Sequence, residues 1–238
     1  MLQSIKALCG VKLGANDGHI GQVKDFYFDD QNWTIRYLVA DTAAWLPGRQ
    51  VLISPHSLGR LDATGDFLRV NLTRKQIEHS PSIELHKPVS RQYEEDYYRY
   101  YGWPYYWQGN AVWGMSGFPI LEMPATPFQR EHTPASDPPP GEHSDAHLRS
   151  TNAVNGYHVQ ASDGPIGHLC DFLFYDRTWE IGRLVIKTDE WLADREVQLS
   201  TSKIDQISYE ESTVYVKLTR ADIEQGSALH LAPAGAGE

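Results

Sequence analysis

Asp17-Gly18-His19-Ile20-Gly21 and, 146 residues later, Asp163-Gly164-Pro165-Ile166-Gly167 are the stretches on which the fold reading turns. The same offset carries Asp25-Phe26 to Asp171-Phe172, Phe28 to Phe174, Asp30 to Asp176 and Trp33 to Trp179. It also relates Leu38-Val39 to Leu184-Val185, Trp45-Leu46 to Trp191-Leu192, Arg49 to Arg195, Leu72-Thr73-Arg74 to Leu218-Thr219-Arg220, and Ile77-Glu78 to Ile223-Glu224. One register held across so many separated positions marks a duplication.

Each copy reads as antiparallel β. Asn16-Asp17-Gly18 and Ser162-Asp163-Gly164 are turn residues that tolerate positive φ, followed by alternating apolar positions such as Ile20, Val23, Phe26 and Phe28. Asp29 to Asn32 and Tyr175 to Thr178 are the next turns, leading into strands that open at Trp33 and Trp179. Further strands are expected at Arg49–Ile53 and Arg195–Leu199, then a hairpin pairing Leu58–Leu61 with Phe67–Leu72 and its counterpart, Ile204–Ser208 with Val214–Leu218. Thr73 and Thr219 are placed to cap short helical turns. Five or six short strands in about 70 residues favour closure of each copy into a small barrel with its own apolar interior.

The connection differs in kind. Tyr93, Tyr97, Tyr98, Tyr100, Tyr101, Trp103, Tyr105, Tyr106 and Trp107 crowd a stretch that begins as a helix after Ser90 and stops at Gly102 and Pro104. From Pro119 to Ser144 proline, polar residues and histidine dominate, with Pro138-Pro139-Pro140-Gly141 as the clearest linker signature. The expected division is 1–86 for the first barrel, 87–150 for the aromatic helix and linker, 151–230 for the second barrel and 231–238 for a flexible tail.

The Asp-Gly-x-Ile-Gly turn, Asp-Phe-x-Phe, the Trp-x-Ile and Leu-Val strand and the terminal Leu-Thr-Arg together resemble the PRC-barrel domain. The resemblance implies two PRC-type β-barrels acting as non-enzymatic docking modules. Relatives of this kind include the cytoplasmic domain of the photosynthetic reaction centre H subunit and the C-terminal domain of the ribosome maturation factor. It therefore implies an H-subunit-like accessory of electron transfer and proton uptake as a second reading, and a ribosome-maturation role as a third. The shared positions are turn glycines and core apolar residues, which report fold rather than site.

Charge and composition narrow the function. Residues 1–86 carry nine basic and nine acidic groups, whereas residues 151–238 carry seven and fourteen, and the whole chain is at −10. Such a balance disfavours nucleic acid and attraction to anionic lipid. No apolar run is long enough to span a bilayer, so membrane contact is expected only as peripheral association with a membrane complex. Met1 to Lys6 does not read as a signal peptide, and two cysteines make no disulfide framework, so the expected location is the cytoplasm.

Candidates for chemistry are few. Asp25 and Asp171 are either proton-handling carboxylates or polar groups that hold the shared fold, and their duplication favours the second. His143 and His147 have metal-ligand spacing on a helix but lie beside the proline run, so no metal is assigned. Cys170 fits a small side chain packed within a barrel. With no nucleophile elbow or phosphate loop, the chain is expected to be a non-enzyme without cofactor. The expected activity is binding a protein partner or a second copy of itself. Tyr97, Tyr101, Trp103, Tyr106 and Trp107 are the candidate contact residues, against the alternative that these rings pack internally.

Overall fold

Glycine and aspartate punctuate both copies at short intervals, and the resulting elements are correspondingly short. The computed structural model describes residues 1–42, 45–47, 49–61, 65–81, 89–119, 148–189 and 195–227. In chain order these are β1 (Leu2–Ser4), α1 (Ile5–Leu8), β2 (Lys12–Ala15), β3 (Gly18–Asp29), β4 (Thr34–Asp41), β5 (Gln50–Ile53), β6 (Leu58–Leu61), β7 (Phe67–Val70), α2 (Arg74–Glu78) and α3 (Arg91–Tyr101). Then come β8 (Leu148–Ser150), α4 (Thr151–Val154), β9 (His158–Ala161), β10 (Gly164–Tyr175), β11 (Ile181–Thr188), β12 (Glu196–Ser200), β13 (Ile204–Ser208), β14 (Thr213–Val216) and α5 (Arg220–Ser227). Pro138–Gly141, His143, His147, Trp191, Leu192 and the tail 231–238 lie outside the described residues.

The fold is mainly β, with two mixed sheets. One runs β12-β11-β10-β9-β14-β13 with β1 added on β10; the other runs β5-β4-β3-β2-β7-β6 with β8 added on β3. The expectation of purely antiparallel sheets is corrected at one place in each copy. β2 pairs β7 in parallel, and β9 pairs β14 in parallel. Several strands separate the members of each pair in sequence, so the chain has length enough to return in the same direction. Neither sheet closes into a barrel: no pairing among the described residues joins β12 to β13 or β5 to β6.

The recurrent motifs have local causes. The Asp17 carboxylate accepts the Arg74 amide at 2.7 Å, and Asp163 accepts the Arg220 amide at 2.8 Å. The Asp-Gly turn thus satisfies the first free N–H of the helix that opens at Leu-Thr-Arg, which is why the two motifs recur together. Thr73 completes a capping box with Gln76. Gly21 (φ 130°) is required by close approach, since a Cβ there would lie 1.8 Å from the Asp41 carbonyl oxygen. Gly167 meets the Lys187 oxygen in the same way at 2.0 Å.

The chain forms two compact units that are interleaved along the sequence: residues 1–9, 25–35 and 149–238 make the first, and residues 10–24 and 36–148 the second. Within the first unit the repeats exchange strands. β1 leads into the first copy but pairs with β10 of the second, Leu2 opposite Tyr175 and Ser4 opposite Leu173. β8 leads into the second copy but pairs with β3 of the first. The expectation that each copy closes on itself is therefore corrected: each sheet is one copy's strands with a single added strand from beyond it.

The turns are exchanged as well. The Ile35 amide donates to the Trp179 carbonyl at 2.8 Å, the Ile181 amide donates to the Trp33 carbonyl at 2.6 Å, and Thr34 bridges Glu180. Trp33 and Trp179 both hold positive φ, 50° and 61°, a conformation that bulky side chains rarely adopt. Stacking holds their rings, Trp33 on Phe28 at 5.8 Å and Trp179 on Phe174 at 5.0 Å, while Phe28 meets Phe172 at 5.5 Å. Strain kept in both copies and spent on one reciprocal hydrogen-bonded contact belongs to the fold.

Candidate binding surface

In the second unit, the aromatic stretch begins where the sequence places it. The Ser90 hydroxyl caps α3 by accepting from the Tyr93 amide, and Gly102 ends it in the left-handed region at φ 71°. α3 covers the outer face of β4 and β5. Tyr97 is fully buried; its hydroxyl accepts from the Ser54 amide at 3.0 Å and donates to the Leu52 carbonyl at 2.9 Å. The β4 run from Thr34 to Ala40 is buried throughout, so both of its faces are covered. Two positions that meet α3 in the first copy are polar in the second. Arg183 stands where the first copy has Tyr37, and Gln198 where it has Leu52, and the two hydrogen-bond at 3.0 Å. An apolar outer face calls for a cover and a polar one does not, so the aromatic helix serves the first copy.

The cover encloses a charged centre. Glu94 is fully buried and accepts from the Tyr37 and Tyr106 hydroxyls, each at 2.9 Å, with Arg91 at 3.1 Å. The Arg36 side chain, equally buried, lies 3.8 Å over the Tyr106 ring and 5.0 Å over Trp113, and donates to the Val112 carbonyl at 2.7 Å. His56 stacks on Trp103 at 5.4 Å and meets Trp113 edge-on at 5.1 Å. Burial, reinforced by the Glu94 carboxylate, pushes the phenols of Tyr37 and Tyr106 far above the ordinary tyrosine range. These hydroxyls are therefore fixed donors at physiological pH, suited to holding a carboxylate still.

The five expected contact residues separate. Tyr97 and Tyr106 are buried inside the unit. Tyr101, Trp103 and Trp107 are half-buried, with Tyr101 stacked on Trp103 at 4.5 Å and the Arg91 guanidinium 4.2 Å over Trp107. More exposed apolar groups lie just beyond them. Two bridges, Ala111 to Gly114 and Trp113 to Ser116, form a tight turn that presents Met115 at 86% exposure and Phe118 at 56%. Trp113, buried under Arg36, anchors it. The sequence signal for this turn was Gly114 and Gly117 within a stretch free of charged residues from Tyr100 to Pro119.

The paired aspartates lie at the strand exchange. Asp25 accepts from the Ser150 hydroxyl, from Thr151 Oγ1 at 2.9 Å and from the amides of Asn152 at 3.1 Å and Phe26 at 2.7 Å. Asp171 accepts from the Ser4 hydroxyl and from the amides of Lys6 at 3.0 Å and Phe172 at 2.7 Å. Each carboxylate thus anchors the N-terminal turn of the short helix, α4 or α1, that follows an exchanged strand. Their oxygens are committed to structural donors.

Cys170 is not packed inside; it is the half-buried extra residue where the β10–β11 register slips between Leu169 and Asp171. Desolvation, with Asp25 and Asp171 nearby, raises the Cys9 thiol; desolvation with Glu196 and Asp171 raises that of Cys170. Both are kept in the weakly nucleophilic protonated form. Among the described residues no helix is long and apolar enough to cross a membrane, and no three His, Cys, Asp or Glu side chains gather as metal ligands.

No known protein-family model matches the sequence, and no curated protein does.

Proposed function

We propose that the chain is a cytoplasmic protein-binding scaffold: a tandem of PRC-type barrel domains, strongly curled rather than fully closed, that acts by association without covalent chemistry. The recurrence of the Asp-Gly and Leu-Thr-Arg motifs supports the domain reading, as does the parallel strand pair that recurs in each copy.

The observation that carries the binding reading is the anchored turn, with Met115 exposed within it and Phe118 exposed just after it. Large apolar side chains held out on a braced turn lose solvent-exposed area on docking at little entropic cost. Tyr101, Trp103 and Trp107 extend the same charge-free stretch. A second copy of this chain is the partner the surface fits first. The protein is at −10, and a strip without charge is where two copies can meet without desolvating carboxylates.

Sedimentation velocity over a wide concentration range tests this reading. The native chain should self-associate, while Met115→Ser with Phe118→Ser should remain monomeric at an unchanged melting temperature. A native chain that stays monomeric throughout would remove self-association from the account.

A further inference from the structure

A shallow hollow of about 380 Å³ opens on the first unit, lined by Asn32, Trp33, Tyr175, Glu180, Ser200 and Ser202 among others. Every described lining residue belongs to that unit. Two aromatic side chains, one carboxylate, amides and hydroxyls form the wall, and among the described residues no Lys, Arg or His lines it. An anion would find no cation there, within a stretch (151–238) that carries seven basic against fourteen acidic groups. An apolar guest would leave the amides and hydroxyls without water or partner.

Comparison of the two copies sharpens the chemistry. The first copy has Arg36 at the position of Gly182, and that guanidinium already lies on the faces of Tyr106 and Trp113. In the second copy the arginine is gone, and Tyr175 stands where the first copy has Asp29. The Tyr175 ring lies against Gly182 so closely that a Cβ there would come within 2.6 Å of it. The ring nevertheless remains 45% exposed. The fold does not demand this ring, because the first copy does without one. Trp33 is fixed from behind by Phe28 and by the Ile181 amide on its carbonyl. The hollow thus offers rigid aromatic surface from Trp33 and Tyr175 and a carboxylate from Glu180, with no cation among its described lining residues.

We propose that this hollow takes the guanidinium of an arginine side chain presented by a protein partner. The planar cation suits an aromatic face on one side, and its N–H fork suits Glu180 and the serine hydroxyls. The hollow shares no described residue with the Met115–Phe118 turn, so either can fail without the other.

Titration of the full ¹⁵N-labelled chain with acetyl-Gly-Arg-Gly-amide, followed by amide and indole shifts, tests it. Saturable shifts are expected at the Trp33 indole and at residues 180–182 and 200–202, with millimolar affinity. The isosteric citrulline peptide, which lacks the charge, should bind about tenfold more weakly, the order of one cation–π or charge contact. Glu180→Gln should cost a similar factor, and Tyr175→Phe should bind normally where Tyr175→Ser does not, with the remaining spectrum unchanged in each. Equal binding of the arginine and citrulline peptides, shifts scattered over the acidic surface, or no saturable shift would overturn the proposal.

Discussion

Asp25 and Asp171 stand at equivalent places and do equivalent work, each gathering hydroxyl and amide donors from the segment that an exchanged strand delivers. Replacing Asp25 with Ala strands the Thr151 hydroxyl and the Asn152 amide together. The expected loss is about 2 kcal/mol, read as a lower urea midpoint at constant slope. Gly21 acts through space rather than through bonds. With a backbone oxygen 1.8 Å from where its Cβ would sit, Gly21→Ala has no side chain to push aside. It should yield insoluble or non-cooperatively melting protein, whereas Gly10→Ala, with open space around it and its own positive φ, should melt cooperatively.

α3 is the element whose role the sequence half revealed. Its limits followed from Ser90 and Gly102, because capping is local chemistry. What it covers did not follow, because that depends on the outer face of a strand distant in sequence. The hint was Arg36 inside the apolar run Ile35 to Ala40, a charge that had to find partners within the fold. Trp33 misled differently: a bulky residue at positive φ has no propensity signature, so the preceding turn reached one residue further than expected. The strand exchange was invisible for another reason, since identical motifs cannot say which copy a strand will join. Glu94 gives the element its test. Glu94→Leu removes the acceptor from two buried tyrosine hydroxyls and should cost about 3 kcal/mol, measured by chemical denaturation. Glu94→Gln, which keeps an acceptor oxygen, should recover a substantial part of it.

At the scale of the molecule, the buried phenols set an alkaline limit. Tyr37, Tyr97 and Tyr98 are pushed up chiefly by burial, so each ionises in the unfolded chain before it does so in the folded one. Their contribution is complete below the ordinary tyrosine value and is lost as pH climbs from there towards the folded values. Each such tyrosine weakens the fold by about 1.4 kcal/mol per pH unit above ~10. Tyrosinate absorbance should therefore rise cooperatively with loss of circular dichroism, rather than in advance of it. The larger claim is that a duplicated sequence folded as an exchange of strands, not as two closed copies. Native-state hydrogen exchange tests it most directly, at the amides of Ile35 and Ile181 and at Lys6 and Asn152. The account predicts that Ile35 and Ile181 exchange only through global unfolding, with a free energy equal to that from denaturant, and that Asp25→Ala selectively speeds Asn152. Exchange of Ile35 and Ile181 within minutes, independent of denaturant and of global stability, would contradict it.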